Sequence, residues 1–375
     1  MRLSIFRAMA AASLLLTLSC GEERGKEPEK KPGTDPAAEI TFAKGADVSW
    51  VSEMEKDGIV FRKADGSAAD IFAVLSGCGI NSIRLRVWVD PYGGWSGKAD
   101  MVALAKRAAA AGMAVMADFH YSDFFADPSR QKIPAAWEQD KADLGKMCSH
   151  VSAHTKDVLE ALKAAGVSPR WIQVGNETRN GMLWPAGQLW DSHGNITDGR
   201  KHFAQLYNAG YDAAKAVFPD ALVMPHLDNA FEDNMWWFNE IKAQGARFDA
   251  IALSHYPQAG EGQAAQKNRQ AQDNIKKIHS TFGIPVIVSE VGVKPALSDA
   301  ASVLKDFIDG LRAIDGCEGV FYWEPEVYGG WKPAIYSNPD LIYRYTGKRE
   351  TWNAYDQGAF TSDGRASAIM DAFKD

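Results

Sequence analysis

The chain has 375 residues, of which 46% are hydrophobic and 24% charged, with a formal net charge of -7. That composition is globular, and the length suits one large α/β domain, such as a barrel of roughly 250 residues or more, or two medium ones. Net acidity, with no basic cluster beyond short tail runs, argues against nucleic acid as a partner.

Arg2 and Arg7 flank the start of an apolar stretch over 8–18, followed by Ser19-Cys20-Gly21. Residues 1–19 read as a secretory signal, too short to span a bilayer as a mature helix. Cys20, directly behind Leu18-Ser19, resembles the lipidated cysteine of bacterial lipoproteins, although Thr17 stands where such a box usually has Leu. An ordinary cleaved signal with an incidental Cys20 is the alternative. Glu22 and Glu23 resemble the surface-export signals of some Gram-negative lipoproteins. The expectation is an exported protein held to the outer membrane by a lipid anchor, at the cell surface or in the periplasm, and extracellular if not lipidated. Residues 20–40 are charged and Pro-containing with almost nothing to bury, which predicts a flexible tether. Residues 41–375 remain as the folded domain. The other cysteines, Cys78, Cys148 and Cys317, are odd in number and form no CxxC pair, so buried thiols are expected rather than disulfides or a zinc site.

From Phe42 onward, apolar β-branched runs alternate with amphipathic stretches. Strands are predicted over 42–48, 82–88, 114–119, 171–175, 222–227, 248–254, 285–290 and 319–323. Helices are predicted over 68–78, 100–111, 140–165, 200–217, 234–243, 264–282 and 298–314, with a last one over 365–373. Gly79, Gly112, Gly166, Gly245 and Gly283 fall where helices end before the next strand. Eight β-then-α units predict an α/β fold of one architecture: a single-domain (β/α)8 TIM barrel with a parallel sheet covered on both faces. A doubly wound open sheet would bring a glycine-rich phosphate turn after the first strand. Here that strand runs into Gly45-Ala46-Asp47-Val48-Ser49-Trp50, which is no such turn.

In a barrel of this kind the site lies at the C-terminal ends of the strands. Those positions hold Asp47 and Trp50, then Arg84, Arg86 and Trp88, then Asp118 and His120. The later strands end in Asn176-Glu177, in His226-Leu227-Asp228, in Ser254-His255-Tyr256, in Ser289-Glu290 and in Trp323-Glu324-Pro325-Glu326. Polar groups gathered inside one rim cost desolvation that stability alone does not require. Two strands end in a glutamate, Glu177 and Glu290. Two carboxyl groups carried into one cleft are what acid/base-plus-nucleophile cleavage of a glycosidic bond requires. The bland alternative for each is a strand-end glutamate facing water. His120, His226 and His255 raise the question of a metal. The His-x-His that begins the barrel amidohydrolases is missing, and His150 and His154, at i, i+4 on a helix, have no partners converging on them in the sequence. No metal is assigned.

These residues resemble glycoside hydrolase family 53, the endo-β-1,4-galactanases of the retaining clan A. The resemblance rests on Gly45-Ala-Asp-Val-Ser-Trp50, on Ile83-Arg-Leu-Arg-Val-Trp88 with Asp90-Pro91, and on Asp118-Phe-His-Tyr-Ser-Asp123 with Ala126-Asp127-Pro128. It continues through Gln173-Val-Gly-Asn-Glu177 with Gly181 and Trp184-Pro185, and Phe321-Tyr-Trp-Glu-Pro325. It spans nearly all of residues 42–360. The resemblance implies hydrolysis of internal β-1,4 bonds of galactan, the type I arabinogalactan side chains of pectin, to galacto-oligosaccharides by double displacement. It implies Glu177 as general acid/base and Glu290 as nucleophile, with Asn176 on the sugar 2-hydroxyl. Tyr256 would orient Glu290, and Arg84 would hold its charge. His120 and Trp323 would line the reacting subsite, and Asp47, Trp50, Trp88, Asp118 and His255 would complete the substrate-binding set.

The chain departs from the family after Tyr256-Pro257, where an aromatic Phe-Trp-His-Gly is replaced by Gln258-Ala259-Gly260-Glu261-Gly262. Phe124 stands for a Trp, and Val291-Gly292-Val293 follows the nucleophile in place of Thr-Ala-Tyr. Some members bind structural calcium between the long loops after strands seven and eight. The loop after strand seven is short here, so calcium is not carried over, and catalysis needs no cofactor. The rival expectations are another clan A β-1,4-glycanase, a mannanase or xylanase, and a non-catalytic surface lipoprotein that binds glycan.

Overall fold

The computed structural model describes residues 40–258 and 263–375. The signal, Cys20 and all of the tether but its last residue lie outside the described residues. So do Ala259–Gly262 of the segment after Pro257.

Eight strand positions form one parallel sheet. They are β1 (Ala43–Asp47), β2 (Ser82–Val87), β3 (Ala114–Phe119), β4 (Trp171–Val174), β5, β6 (Ile251–His255), β7 (Val286–Val291) and β8 (Cys317–Trp323). β5 is split by Pro225 into Leu222–Met224 and His226–Leu227. The lower piece pairs with β4 and the upper piece with β6. β1 pairs with both β2 and β8, so the sheet runs round to meet itself at Pro225. Proline has no N–H for the ladder, and the seam falls where that donor is missing. The result is the expected (β/α)8 barrel.

The helices follow: α1 (Val51–Lys56), α2 (Ile71–Gly77), α3 (Lys98–Ala110), α4 (Leu144–Ala164), α5 (Gly199–Val217), α6 (Met235–Ala243), α7 (Ala264–Phe282), α8 (Ala300–Arg312) and α9 (Pro339–Thr346). The expected helix over 140–165 starts later because the Asp143 side chain accepts the N–H of Lys146 at 3.1 Å and caps it there. Residues Ala135–Asp140 form a separate 3-10 turn. Gly283 ends α7 at φ 68°, the left-handed cap that glycine adopts without cost. The last helix is 3-10 rather than α, over Ala368–Phe373. α1 and α9 have no counterpart among the predicted helices. α9 carries a proline at its first position, and the Asn338 side chain caps it by accepting from Asp340 and Leu341.

Side chains alternate across each strand, so every second residue points into the barrel. Low in the lumen these are apolar: Trp171 meets Phe321 with ring centroids 5.8 Å apart, among Met116, Met224 and Ile287. Gly45 is required there, because a Cβ would lie 2.1 Å from the Phe321 ring. One step toward the C-terminal rim the inward residues become Asp47, Arg84, Asp118 and Gln173, all buried. The other strand face packs on the helices in one continuous apolar layer.

Candidate active site

Arg84 stands at the centre of the rim, 1% exposed. Its guanidinium reaches Asp47 Oδ2 at 2.8 Å, Asp118 Oδ2 at 2.9 Å and Glu290 Oε1 at 2.9 Å. It also donates to Asn176 Oδ1 at 2.8 Å and Gln173 Oε1 at 3.2 Å. A buried cation with several planar donors can hold more than one carboxylate in fixed orientation. Burial opposes its charge, but Asp118, Glu290 and Asp47 together outweigh that and raise its pKa, so it remains charged. The Tyr256 hydroxyl donates to the other oxygen of Glu290 at 2.6 Å. Both Glu290 oxygens therefore have donors, the arrangement that supports an anion in a dry site.

Glu177 sits differently. It follows Gly175, at φ 84°, and is itself left-handed, at φ 45°. The turn is held from three sides. Gln131 donates through Nε2 to the Asn176 carbonyl at 2.8 Å and to the Glu177 carbonyl at 3.4 Å. His226 Nδ1 accepts the Glu177 N–H at 3.2 Å. Thr178 donates its N–H to the His226 carbonyl at 2.9 Å. Asn176 Nδ2 donates to the Ala126 carbonyl at 2.8 Å, which leaves one N–H of that amide for a ligand.

Burial pushes the Glu177 carboxyl well above the usual range, and the Glu290 charge pushes it further. Burial raises Glu290 as well, but Arg84 and the Tyr256 hydroxyl pull it back. In this coupled pair Glu177 is the harder of the two to ionise. The two carboxyls are thus set apart in acidity by environment alone.

Both line a cavity of about 590 Å³, together with His120, Asn176, Tyr256 and Trp323. Phe125, Tyr336, Trp352 and Tyr355 add aromatic surface, and Arg130, Arg349 and Glu350 add charge. Trp323 and Tyr355 rings lie 4.4 Å apart. His120 is fixed by Asp118 on Nε2 at 2.9 Å and by the Ala126 N–H on Nδ1 at 3.0 Å.

The remaining expected binding residues do not line this cavity. Asp47 and Asp118 are fully buried and spend their oxygens within the protein, on Arg84 and Ser49 for the first, and on Arg84, His120 and Gln173 for the second. Through those bonds they hold Arg84 and His120 in place. Trp50 and Trp88 are corrected from stacking surfaces to core. Trp50 is 1% and Trp88 2% exposed, and Arg86 lies over their rings at 4.4 Å and 4.7 Å. Phe125 covers the same guanidinium at 4.7 Å and takes the place at the cavity wall. His255 is likewise corrected. It points outward from β6, its ring 4.2 Å from Phe307 and its Nε2 2.8 Å from Asn268 Oδ1. That orientation follows from strand alternation: Ser254 is the inward residue and His255 is not.

Glu324 and Glu326 are fully buried beside Arg86, which pairs with Glu324. Burial holds Glu324 up to about 8 and Glu326 well above its usual range, and Glu53 nearby to about 7. His150 stacks on Trp137 at 5.2 Å and bonds Asp140, while half-buried His154 lies against Phe119 and Tyr121, so that helical pair serves packing. Among the described residues, no group of three or more His, Cys, Asp or Glu side chains is placed to hold a metal ion.

Sequence reasoning did not anticipate Gln131, Phe125, Arg130, Tyr336 or Tyr355. These residues come from loops without period, and the C-terminal ones return over the barrel mouth after β8. The dense aromatics between Trp323 and Phe360 are the one signal that could have pointed to them.

Comparison with known proteins agrees with this fold. The profile described as glycosyl hydrolase family 53 matches residues 43–303. A probable arabinogalactan endo-β-1,4-galactanase A of Aspergillus terreus is 33% identical over 317 residues, covering 77% of this chain and 86% of that protein. An endo-β-1,4-galactanase of Bacillus subtilis is 31% identical over 318 residues, covering 76% of this chain and 70% of its own. A solved structure from a study of two fungal β-1,4-galactanases superposes with a TM-score of 0.73 at 26% identity, covering 89% of this chain and 99% of that one. The Ignisphaera aggregans GH53 catalytic domain gives 0.74 at 26% identity, covering 89% and 96%. A barrel that sets two glutamates of unequal environment into one cavity, within a chain matched by this profile over most of its length, is that of a glycoside hydrolase, and the chain belongs to glycosyl hydrolase family 53.

Proposed function

We propose that the protein is a retaining endo-β-1,4-galactanase acting on galactan, including the type I arabinogalactan side chains of pectin. The observation that carries this reading is the unequal environment of Glu177 and Glu290 in one cavity. Glu290, held by Arg84 and Tyr256, attacks the anomeric carbon as Glu177 gives its proton to the departing glycosidic oxygen. The glycosyl–Glu290 ester that forms carries no charge. Glu177, left as a carboxylate by that transfer and no longer opposed by the Glu290 charge, takes a proton from water. That water attacks the same carbon and releases Glu290, with two inversions giving net retention. The free N–H of Asn176 would meet the sugar 2-hydroxyl, and Trp323, Tyr355 and Trp352 would offer ring faces. No cofactor enters these steps. The residues that replace the family's aromatic run after Pro257 reduce the distal platform, so the products should be a spread of galacto-oligosaccharides. The leader and Cys20 would place the enzyme on the outer membrane, tethered within reach of polymer.

The test is a time-resolved product profile on debranched galactan, with mannan and xylan alongside, and proton NMR of the first anomer released. Early intermediate-length β-anomers from galactan support the reading. Preference for mannan or xylan would make it another clan A glycanase. An α-anomer first would end the double displacement. No turnover on any glycan would leave the glycan-binding lipoprotein.

A further inference from the structure

His226 and Ser254 contribute to no step above, yet both are fully buried beside the acid/base. His226 sits on the upper piece of β5 and Ser254 on β6, where it pairs in register with Glu290 of β7. His226 Nε2 lies 2.8 Å from Ser254 Oγ. On the other side of the ring, Nδ1 faces the Glu177 backbone N–H at 3.2 Å and Gln173 Nε2 at 3.0 Å. An amide N–H can only donate, so Nδ1 carries the lone pair and the proton is on Nε2. Asn176 Oδ1, 2.9 Å from the same nitrogen, takes its hydrogen bond from Arg84 instead. With Nε2–H pointing at Oγ, the Ser254 hydroxyl has its own hydrogen free. The group it faces is the Glu177 carboxyl, to which Ser254 is the side-chain hydrogen-bond donor.

We propose that His226 and Ser254 form a positioning relay, running from the Glu177 backbone through the imidazole and the hydroxyl to the Glu177 carboxyl, which aims the proton donor at the leaving group. The inference rests on the reading of Glu177 as acid/base. The relay holds one residue at both ends, main chain and side chain, and fixes a turn whose left-handed backbone would not hold it unaided. It moves no proton itself. Ser254 can donate to the carboxyl in both of its states, through the carbonyl oxygen when Glu177 is protonated and through either oxygen when it is ionised. Burial, with Arg84 and His120 nearby, keeps His226 neutral, so its tautomer is constant through the cycle. Glu290, Asp228 and Asp127 face the Glu177 carboxyl and oppose its ionisation, and the Ser254 hydroxyl favours it. Tyr256 borders both glutamates.

The experiment compares Ser254→Ala, Ser254→Thr and Glu177→Ala on galactan and on an aryl β-galactobioside whose leaving group needs no proton. Ser254→Ala should lower kcat on galactan by about tenfold, the size of one charge-assisted hydrogen bond. Glycosylation by the activated substrate, read as kcat/KM, should fall by under about threefold on the same basis. The alkaline limb of kcat/KM on galactan should move to higher pH, because a bond that favours the carboxylate has gone. Ser254→Thr should restore both. Nitrogen-15 NMR should show His226 protonated on Nε2. Equal losses on both substrates, an unmoved alkaline limb, or a His226 protonated on Nδ1 would overturn the relay. If Glu177→Ala shows the leaving-group dependence and Ser254→Ala does not, the relay alone is wrong. If Glu177→Ala lacks it too, the acid/base assignment is what fails.

Discussion

Replacing Tyr256 with Phe removes one oxygen and tests how the nucleophile is kept ionised. The hydroxyl donates to Glu290 Oε2 at 2.6 Å in a site where Glu290 is 4% exposed. Tyr256 holds its proton at any working pH, since burial and the two glutamates raise it well above the phenolic range. A hydrogen bond to a charged group contributes about 1.5–3 kcal/mol, which is about 1–2 pH units in the partner's pKa. The sign follows from which form is favoured. The hydroxyl stabilises the carboxylate, so it lowers the Glu290 pKa. Without it Glu290 protonates more readily, and the acid limb of kcat/KM moves to higher pH. Because the two glutamates titrate together, the shift belongs to the acid step of the pair. At a pH on the original acid limb, kcat/KM should drop by roughly 10- to 150-fold, the same energy expressed as a ratio. At higher pH the loss should shrink. The assay is reducing-end release on galactan across pH, with Arg84 left intact to hold Oε1. An acid limb that stays in place, or a loss uniform across pH, would refute the argument that Tyr256 acts through ionisation of Glu290.

The two glutamates should separate cleanly under azide. Glu177→Ala should keep glycosylation of an activated aryl substrate and recover turnover with azide, yielding a glycosyl azide of retained configuration, whereas Glu290→Ala should show neither; rescue of Glu290→Ala instead would reverse the roles. Arg84→Met leaves Asp47, Asp118 and Glu290 buried without their shared cation, and should cost about 3–5 kcal/mol in urea unfolding; a midpoint equal to the parent would show those acids are protonated. Trp50→Phe should lower Tm and leave KM for galactan within about twofold, since the ring sits under Arg86 in the core, while Trp352→Ala at the cavity wall should raise KM by about fivefold, on the order of one stacking contact; the opposite pattern would return Trp50 to the binding surface.

Much of this architecture is legible in the chain because barrel strands are short, apolar and bounded by glycine or proline. Their ends name the rim, and Glu177, Glu290, Arg84, Asn176, Tyr256 and Trp323 are all found there. What the pattern hides is orientation and return. His255 and Tyr256 are adjacent, and only the phase of β6 tells that the first packs on Phe307 and the second reaches Glu290. Trp50 follows a strand end as a ligand-stacking residue would. The turn into α1, absent from any apolar period, tucks it beneath the floor instead. Phe125, Trp352 and Tyr355 reach the cavity through loops whose course is set by tertiary packing. Tyr355 even lies within three successive left-handed residues, Ala354 to Asp356, a path that local propensity does not foretell.

The break at Pro225 bears on how activity and closure are linked. Below it, β5 is zipped to β4; above it, the strand leaves β4, and the neighbouring place is taken by the acid/base turn, with Thr178 bonding the His226 carbonyl through both N–H and hydroxyl. The proton donor is therefore fastened to the final join of the cylinder. The nucleophile is braced by an arginine tied to β1 and β3, on the far side of that join. With the roles proposed above, a cylinder sprung open at Pro225 would keep Glu290 charged and lose the aim of Glu177. Cleavage of unactivated polymer thus reports a finished barrel, while reaction with an activated glycoside reports only that the opposite half has assembled.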